Sequence, residues 1–185
     1  MKQSTAIKIA TGVAAATIGG LFLFSRATRP PVINPNVPQP AKSVDLARYI
    51  GKWFELARHE NRFQKGMDAV TAEYALEPNG KLGIHNSGTR NGERSTVSGN
   101  AVIADEATNA KLKVSFFGPL YTGDYWVLDH GDAYDWSIVG EPAGRYLWLL
   151  HREPRPAPAT LQSLLERVEA LGYDRWALRI TQQQP

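Results

Sequence analysis

The 185 residues include no cysteine. Disulfides, thiolate metal sites and a cysteine nucleophile are thereby excluded, and so is an anchor built on an acylated cysteine. Histidine is scarce as well. His59, His85, His130 and His151 are scattered without ligand-like spacing, which argues against a structural zinc site. No metal and no cofactor is expected, and no G-x-S-x-G nucleophile motif occurs. Acidic side chains are missing from residues 1–27, which carry Lys2, Lys8 and Arg26. Without those cations the remaining Lys and Arg balance the 18 Asp and Glu. The remainder therefore has no basic excess with which to grip phosphates, and nucleic acid is not an expected partner.

What is present at the N-terminus reads as a targeting segment. Lys2 and Lys8 precede an uncharged run from Ile9 to Phe24. That run has about the upper length of a signal-peptide core and falls a little short of the roughly 20 residues of a full span. Ser25 and Ala27 place small residues at the −3 and −1 positions of a cleavage after Ala27. Residues 1–27 are thus either a cleaved signal peptide or an uncleaved signal anchor. Both expect an exported protein, in the periplasm or membrane-associated at the cell envelope. Residues 28–42 hold five prolines in "RPPVINPNVPQPAK", which favours an extended linker over helix or sheet. The domain is expected over 43–185.

From Ile50 to Arg152 the pattern is one of short strands: "KWFELARH", "AVTAEYALE", "KLGIHNSG", "STVSGNAVIA", "AKLKVSFFG", "GDYWVLDH", "AYDWSIVG" and "RYLWLLHR". Pro-Asn-Gly and Arg-Asn-Gly are tight-turn signals between them. Eight such strands with short connections predict an all-β, up-and-down antiparallel barrel, which removes exposed edges and has room for one small ligand. After Arg152 the period changes. Leu161, Leu164, Leu165, Val168 and Leu171 fall at helical spacing, with Pro158 suited to the first turn and Gly172 to the stop. One apolar stripe on one C-terminal helix predicts packing on the outside of the barrel. A short strand, "RWALRI", follows.

These residues also carry a family likeness. Gly51-Lys52-Trp53 matches the G-x-W signature of the lipocalins. "VLDHGDAYDWSIVG" resembles the second signature, with Asp129 and Tyr134 as matching residues, and "YLWLLHREP" resembles the third, ending in Arg152. "NRFQKGM", "FFGPLY" and the terminal "ITQQ" resemble the bacterial lipocalin and apolipoprotein D subgroup. The resemblance covers roughly residues 43–183. It implies a lipocalin barrel in which Trp53 and Arg152 meet at the closed end. It also implies a binding protein for a small hydrophobic ligand at a bacterial cell envelope. The missing cysteine departs from the lipoprotein members of that subgroup and puts an outer-membrane location in question. Membrane contact, if any, would run through an uncleaved N-terminal segment.

Strand alternation sets the expected inner wall. Counting by twos from Trp53 gives Glu55, Ala57 and His59, with Glu55 deep near the sealed base and His59 near the rim. Counting back from Arg152 gives Leu150, Trp148 and Tyr146. The resemblance fixes the phase elsewhere as Ala72, Tyr74 and Leu76; Leu82, Ile84 and Asn86; Leu112, Val114 and Phe116; Tyr125 and Val127; Trp136 and Ile138. A slip of one residue would exchange each set for its neighbours. An apolar wall with a few polar groups is what a ligand cavity has. Phe63, in the basic loop "ENRFQKGMD", is expected over the open end. A fatty acid or lysophospholipid would place its chain inside and its anionic head among these groups. Two other readings stay open: a barrel filled by its own aromatics, serving as a membrane-tethered interaction module, and an enzyme using Glu55 and His59 as an acid/base pair. Oligomeric state is not legible.

Overall fold

The computed structural model describes residues 30–116 and 118–183. The segment expected to target the chain, residues 1–27, lies outside the described residues. Among those described, no helix is long and apolar enough to cross a membrane. A one-turn helix α1 (Leu46–Tyr49) leads into β1 (Gly51–His59), β2 (Asp68–Leu76), β3 (Leu82–Arg90) and β4 (Glu93–Ile103). The meander continues through β5 (Lys111–Ser115), β6 (Gly123–His130), β7 (Trp136–Gly140) and β8 (Leu147–His151). Helix α2 (Pro158–Ala170), a 3-10 turn (Arg175–Ala177) and β9 (Leu178–Ile180) complete the fold.

From β1 to β8 each strand pairs antiparallel with its sequence neighbour, and β8 pairs back with β1, so eight strands close into a barrel. The tight turns behave as their residues dictate. Asn91 and Gly92, at φ 53° and 83°, make the two-residue connection between Arg90 and Glu93. Both central residues of that turn need positive φ, which Asn-Gly supplies at least cost. β1 is where the barrel closes. One of its edges carries β8; the other carries β2 over Gly51–Phe54 and then β9 over Ala57–His59. The change of partner coincides with a bulge between Glu55 and Ala57.

Two apolar clusters result. The inner one gathers Trp53, Tyr74, Ile84, Leu112, Val127 and Leu150 among others. The outer one lies between the wall of β1, β6, β7 and β8 and helix α2, and includes Leu56, Leu128, Leu149, Leu164 and Val168. The helix turns its apolar stripe to the wall, as the period of its leucines requires. Gly172, at φ 88°, ends it as a left-handed stop.

The proline-rich segment is seated on this same wall. Ile33 and Val37 pack into the outer cluster. The Ile33 and Asn34 amides donate to Gly144 O at 2.7 and 3.1 Å, and the Ala41 amide donates to Leu128 O at 2.9 Å. Gly144 has φ 63°, and a Cβ there would collide with Asn34 O. The close approach therefore requires glycine.

The closed end is built on Arg152. Its guanidinium sits 3.7 Å from the centre of the Trp53 ring. Nη1 donates to Lys52 O at 2.8 Å, and Nη2 donates to Arg48 O, Tyr49 O and Ile50 O at 2.9, 3.1 and 2.9 Å. Trp53 Nε1 donates to Tyr49 O at 2.8 Å. One side chain thus satisfies the carbonyls that end α1, in the way a helix terminus needs. Asp129 accepts from the His130 amide at 2.8 Å and from Arg167 Nε at 2.5 Å, tying the β6–β7 hairpin to α2. The Tyr134 hydroxyl accepts from the Asp45 amide at 2.7 Å and holds α1 across the barrel end. Replacing Arg152 by Met is expected to cost about 3 kcal/mol, the sum of a few net hydrogen bonds and one cation–π contact. Urea unfolding checks this, and Arg152→Lys, which cannot span the same carbonyls, is expected to recover less than half.

Candidate functional site

Cross-strand partners in an antiparallel pair share a face, so the register decides which residues line the lumen. Trp53 pairs with Ala72, and both lie inside. Ala72, Tyr74, Ile84, Asn86, Val114, Phe116, Tyr125, Val127 and Trp148 take inward positions, and Tyr146 stacks on Trp148 with ring centres 5.6 Å apart. Ala72, Asn86, Val114, Phe116, Tyr125, Tyr146 and Trp148 are only partly buried although they face inward. The inner wall is therefore less tightly buried above its floor than at it. Two surface depressions of about 350 and 380 Å³ lie outside the barrel, one at Lys52, Phe54 and Arg94, the other at Asp129 and Arg167. None of the inward side chains named above lines either.

Five expected inner-wall positions are corrected. After the bulge the phase of β1 reverses: Arg58 pairs with the inward Trp148, while Ala57 pairs with the outward Leu149. Ala57 packs beneath α2. His59 pairs with Leu178 and shares its outer side. Burial lowers the His59 pKa below the ordinary imidazole value, outweighing the nearby Glu60 charge and a hydrogen bond to the Arg145 backbone. On β7 the parity is opposite to that expected. Ser137 and Val139 pair with Leu150 and Trp148 and face in, whereas Trp136 and Ile138 face α2. Because α2 covers the outside of β7, both faces are apolar, and hydrophobic alternation gives no phase. Leu76, also expected inside, ends β2 at 61% exposed. Glu55 and His59, on opposite sides of the wall, form no acid/base pair.

The floor of the lumen is a line of hydroxyls. Tyr49 Oη lies 2.9 Å from Tyr125 Oη and 3.0 Å from Ser137 Oγ, and Tyr74 Oη lies 2.9 Å from Tyr125 Oη. Burial pushes the Tyr49 phenol up to about 12, and burial likewise raises Tyr74 and Tyr125. Removing these phenols from water disfavours the charged phenolate.

Beneath the mouth lies a polar cluster. Glu55 is not near the base as expected; it is held under the β1–β2 loop. Its Oε1 accepts from Arg58 Nη1 at 2.6 Å and from Thr181 Oγ1 at 2.5 Å, and its Oε2 accepts from Gln64 Nε2 at 2.8 Å. Gln64 Oε1 in turn accepts from Trp148 Nε1 at 2.8 Å. Arg58, 0% exposed, also donates to Gln64 O, Met67 O and Glu60. Glu60 has a depressed pKa: burial opposes this, and hydrogen bonds from Arg58 and Arg179 outweigh it. Arg58 thus clamps the loop by both ends onto the barrel. Phe63, at the loop's tip, is 58% exposed, and its carbonyl accepts from Arg90 Nη2 at 3.0 Å.

Arg58, Gln64 and Thr181 are site residues that strand counting missed. The one sequence signal was an arginine inside the apolar run "WFELARH", three residues from Glu55. In a regular strand those two would point to opposite faces.

A family model for the lipocalin-like domain matches residues 44–183. The outer membrane lipoprotein Blc of Vibrio cholerae is 36% identical over 153 residues, covering 81% of this chain and 89% of the relative. Apolipoprotein D of Cavia porcellus is 29% identical, covering 78% of this chain and 71% of the relative. Among solved structures, insecticyanin of Manduca sexta superposes with TM-score 0.67 at 21% identity, covering 83% of this chain and 88% of that one.

Two outcomes follow from this geometry. Arg58→Met strands Glu55 as an unpaired buried charge and is expected to cost about 3–5 kcal/mol. Glu55→Gln combined with Arg58→Met is expected to cost less, and limited proteolysis should find residues 61–67 newly accessible in the single variant. The raised phenol pKa values give a second outcome. A group with a raised folded pKa stabilises fully below its unfolded value, about 10 for tyrosine. That stabilisation is lost as pH rises towards the folded value, about 12 for Tyr49. Tyrosinate absorbance is therefore expected to rise late for Tyr49, Tyr74 and Tyr125, and together with unfolding. An early, non-cooperative rise from these three would contradict the buried floor.

Proposed function

The chain belongs to the lipocalins, a family of binding and transport proteins rather than enzymes, and from that premise we propose that it binds, stores or transports a long acyl lipid at the bacterial cell envelope. The ligand class is a fatty acid or a lysophospholipid. One observation carries this reading: the inner wall of aliphatic and aromatic side chains stays partly exposed between a hydroxyl floor and a polar mouth. Burying a methylene contributes about 0.8 kcal/mol. A long acyl chain in the lumen therefore gains on the order of 10 kcal/mol before the costs of association and ordering. At the rim, the Arg62 guanidinium lies over the exposed Phe63 ring and Arg90 donates to the Phe63 carbonyl, with Lys65 in the same loop. That is a suitable setting for an anionic head left at the mouth.

Location belongs to the same reading. The basic, uncharged-core N-terminus of residues 1–27 fits export, either as a cleaved signal or as a membrane anchor. The Blc relatives are named outer membrane lipoproteins, whereas this chain has no cysteine to acylate. Attachment, where it occurs, runs through the N-terminal segment.

The test is a titration of the delipidated full-length protein with a fluorescent fatty-acid probe, followed by displacement with hexadecanoic acid and with a lysophospholipid. Saturable binding and displacement are expected, with Trp148→Ala weakening both. A protein that takes up neither lipid would sink the reading and favour a barrel filled by its own side chains.

A further inference from the structure

The hydroxyls at the floor of the lumen form one chain, Ser137–Tyr49–Tyr125–Tyr74, joined by contacts of 3.0, 2.9 and 2.9 Å. Each hydroxyl has one proton to donate. The contacts number one fewer than the hydroxyls, so one proton is left over whichever way the chain runs. Burial decides where it sits. Ser137, Tyr49 and Tyr74 are 0%, 1% and 5% exposed, and a spare donor on any of them would be shut away unsatisfied, which is costly. Tyr125, on the inner face of β6, is only partly buried. The least costly arrangement has Ser137 donating to Tyr49, and Tyr49 and Tyr74 both donating to Tyr125. Tyr125 then turns its own proton into the lumen.

A second polar atom there has no partner. Asn86 Oδ1 is buried and accepts no hydrogen bond. Asn86 pairs with Ala72 on β2, two residues from Tyr74 towards the mouth. It therefore faces the lumen one inward position above the hydroxyl floor. A spare donor with a spare acceptor above it is a combination that a hydrocarbon end leaves unsatisfied. A carbonyl could answer the donor alone. A hydroxyl, which accepts and donates, could answer both.

We infer that the lumen is built for a lipid whose buried end carries a hydroxyl, with Tyr125 donating to it and Asn86 accepting from it. This rests on the lipid-binding reading above and narrows its ligand class. Tyr125 and Asn86 are then specificity-determining residues, and the apolar wall supplies the bulk of the affinity. Discrimination of this kind is strong because a ligand lacking the group leaves buried polar atoms unpaired.

The experiment compares hexadecanoic acid with 16-hydroxyhexadecanoic acid, by displacement of the same fluorescent probe from the delipidated full-length protein. The native protein is expected to prefer the hydroxy acid by roughly 25-fold, the worth of two net hydrogen bonds. Tyr125→Phe is expected to cut the preference to about fivefold, the part that Asn86 supplies alone. Tyr74→Phe shortens the hydroxyl chain without removing the Tyr125 proton, so the preference should persist in that variant. Equal binding of the two acids to the native protein would overturn the inference while leaving the lipid-binding reading standing. A preference undiminished in Tyr125→Phe, or one that disappears in Tyr74→Phe, would overturn it too. Binding of neither acid would remove both. The native comparison needs no variant to fold, and the Tyr74→Phe arm does not depend on the Tyr125→Phe protein being stable.

Discussion

The bulge between Glu55 and Ala57 is the constraint on which the rest of the barrel turns. A strand without it would keep Trp53, Glu55, Ala57 and His59 on one face. The extra residue reverses the phase midway along the strand that closes the barrel. Below it β1 pairs with β2; above it, with β9. Ala57 is released to the helix side, where its small side chain fits under α2, and Arg58 is driven inside, where it meets Glu55. Bulges commonly re-aim a side chain at a functional rim. Here the re-aimed side chain is the arginine that fastens the mouth loop.

The two ends of the barrel use arginine in different ways. At the base, Arg152 covers an indole and gathers several backbone carbonyls. Its charge is dispersed over neutral acceptors, and among the described residues no acid pairs with it. At the mouth, Arg58 is paired with a carboxylate and enclosed completely. A buried ion pair gains little over a well-packed apolar substitute but loses heavily when one partner is removed. The base is thus fixed by geometry, and the mouth by mutual dependence of two charges. Between the ends, the lumen has neither kind of lock, which leaves its aliphatic and aromatic wall available to a guest.

Much of this was legible in the sequence, and the parts that were not share a cause. Turn residues and alternation gave the eight strands, and the period of Leu161, Leu164, Leu165 and Val168 gave the helix and its outward seat. The G-x-W motif gave the base. On β2, β3 and β5 the phase implied by the family resemblance agrees with the strand register, and there one face of each strand meets solvent. The phase was not legible on β7, where Trp136 and Ile138 pack under α2 and Ser137 and Val139 face inward. There the outside is as dry as the inside. Nor was it legible on β1, because a bulge has no residue signature in "WFELARH". Thr181, in a polar tail, entered the site only through long-range closure on Glu55.

The proline-rich segment determines where force enters the fold. From Pro30, whose carbonyl accepts from Arg145 in the β7–β8 turn at the open end, the chain runs down the outer wall to Ala41 and Lys42 beside Leu128 and His130. It then crosses the base through α1. A load applied through the preceding residues would therefore be taken first at the rim, by the contacts of Ile33 and Asn34 with Gly144. Those contacts would open in succession, as a zipper does, before any strain reached the hydrogen bonds of Arg152. The segment would act as a strain relief: the mouth end would take such a load first, and the sealed end would be mechanically insulated from it.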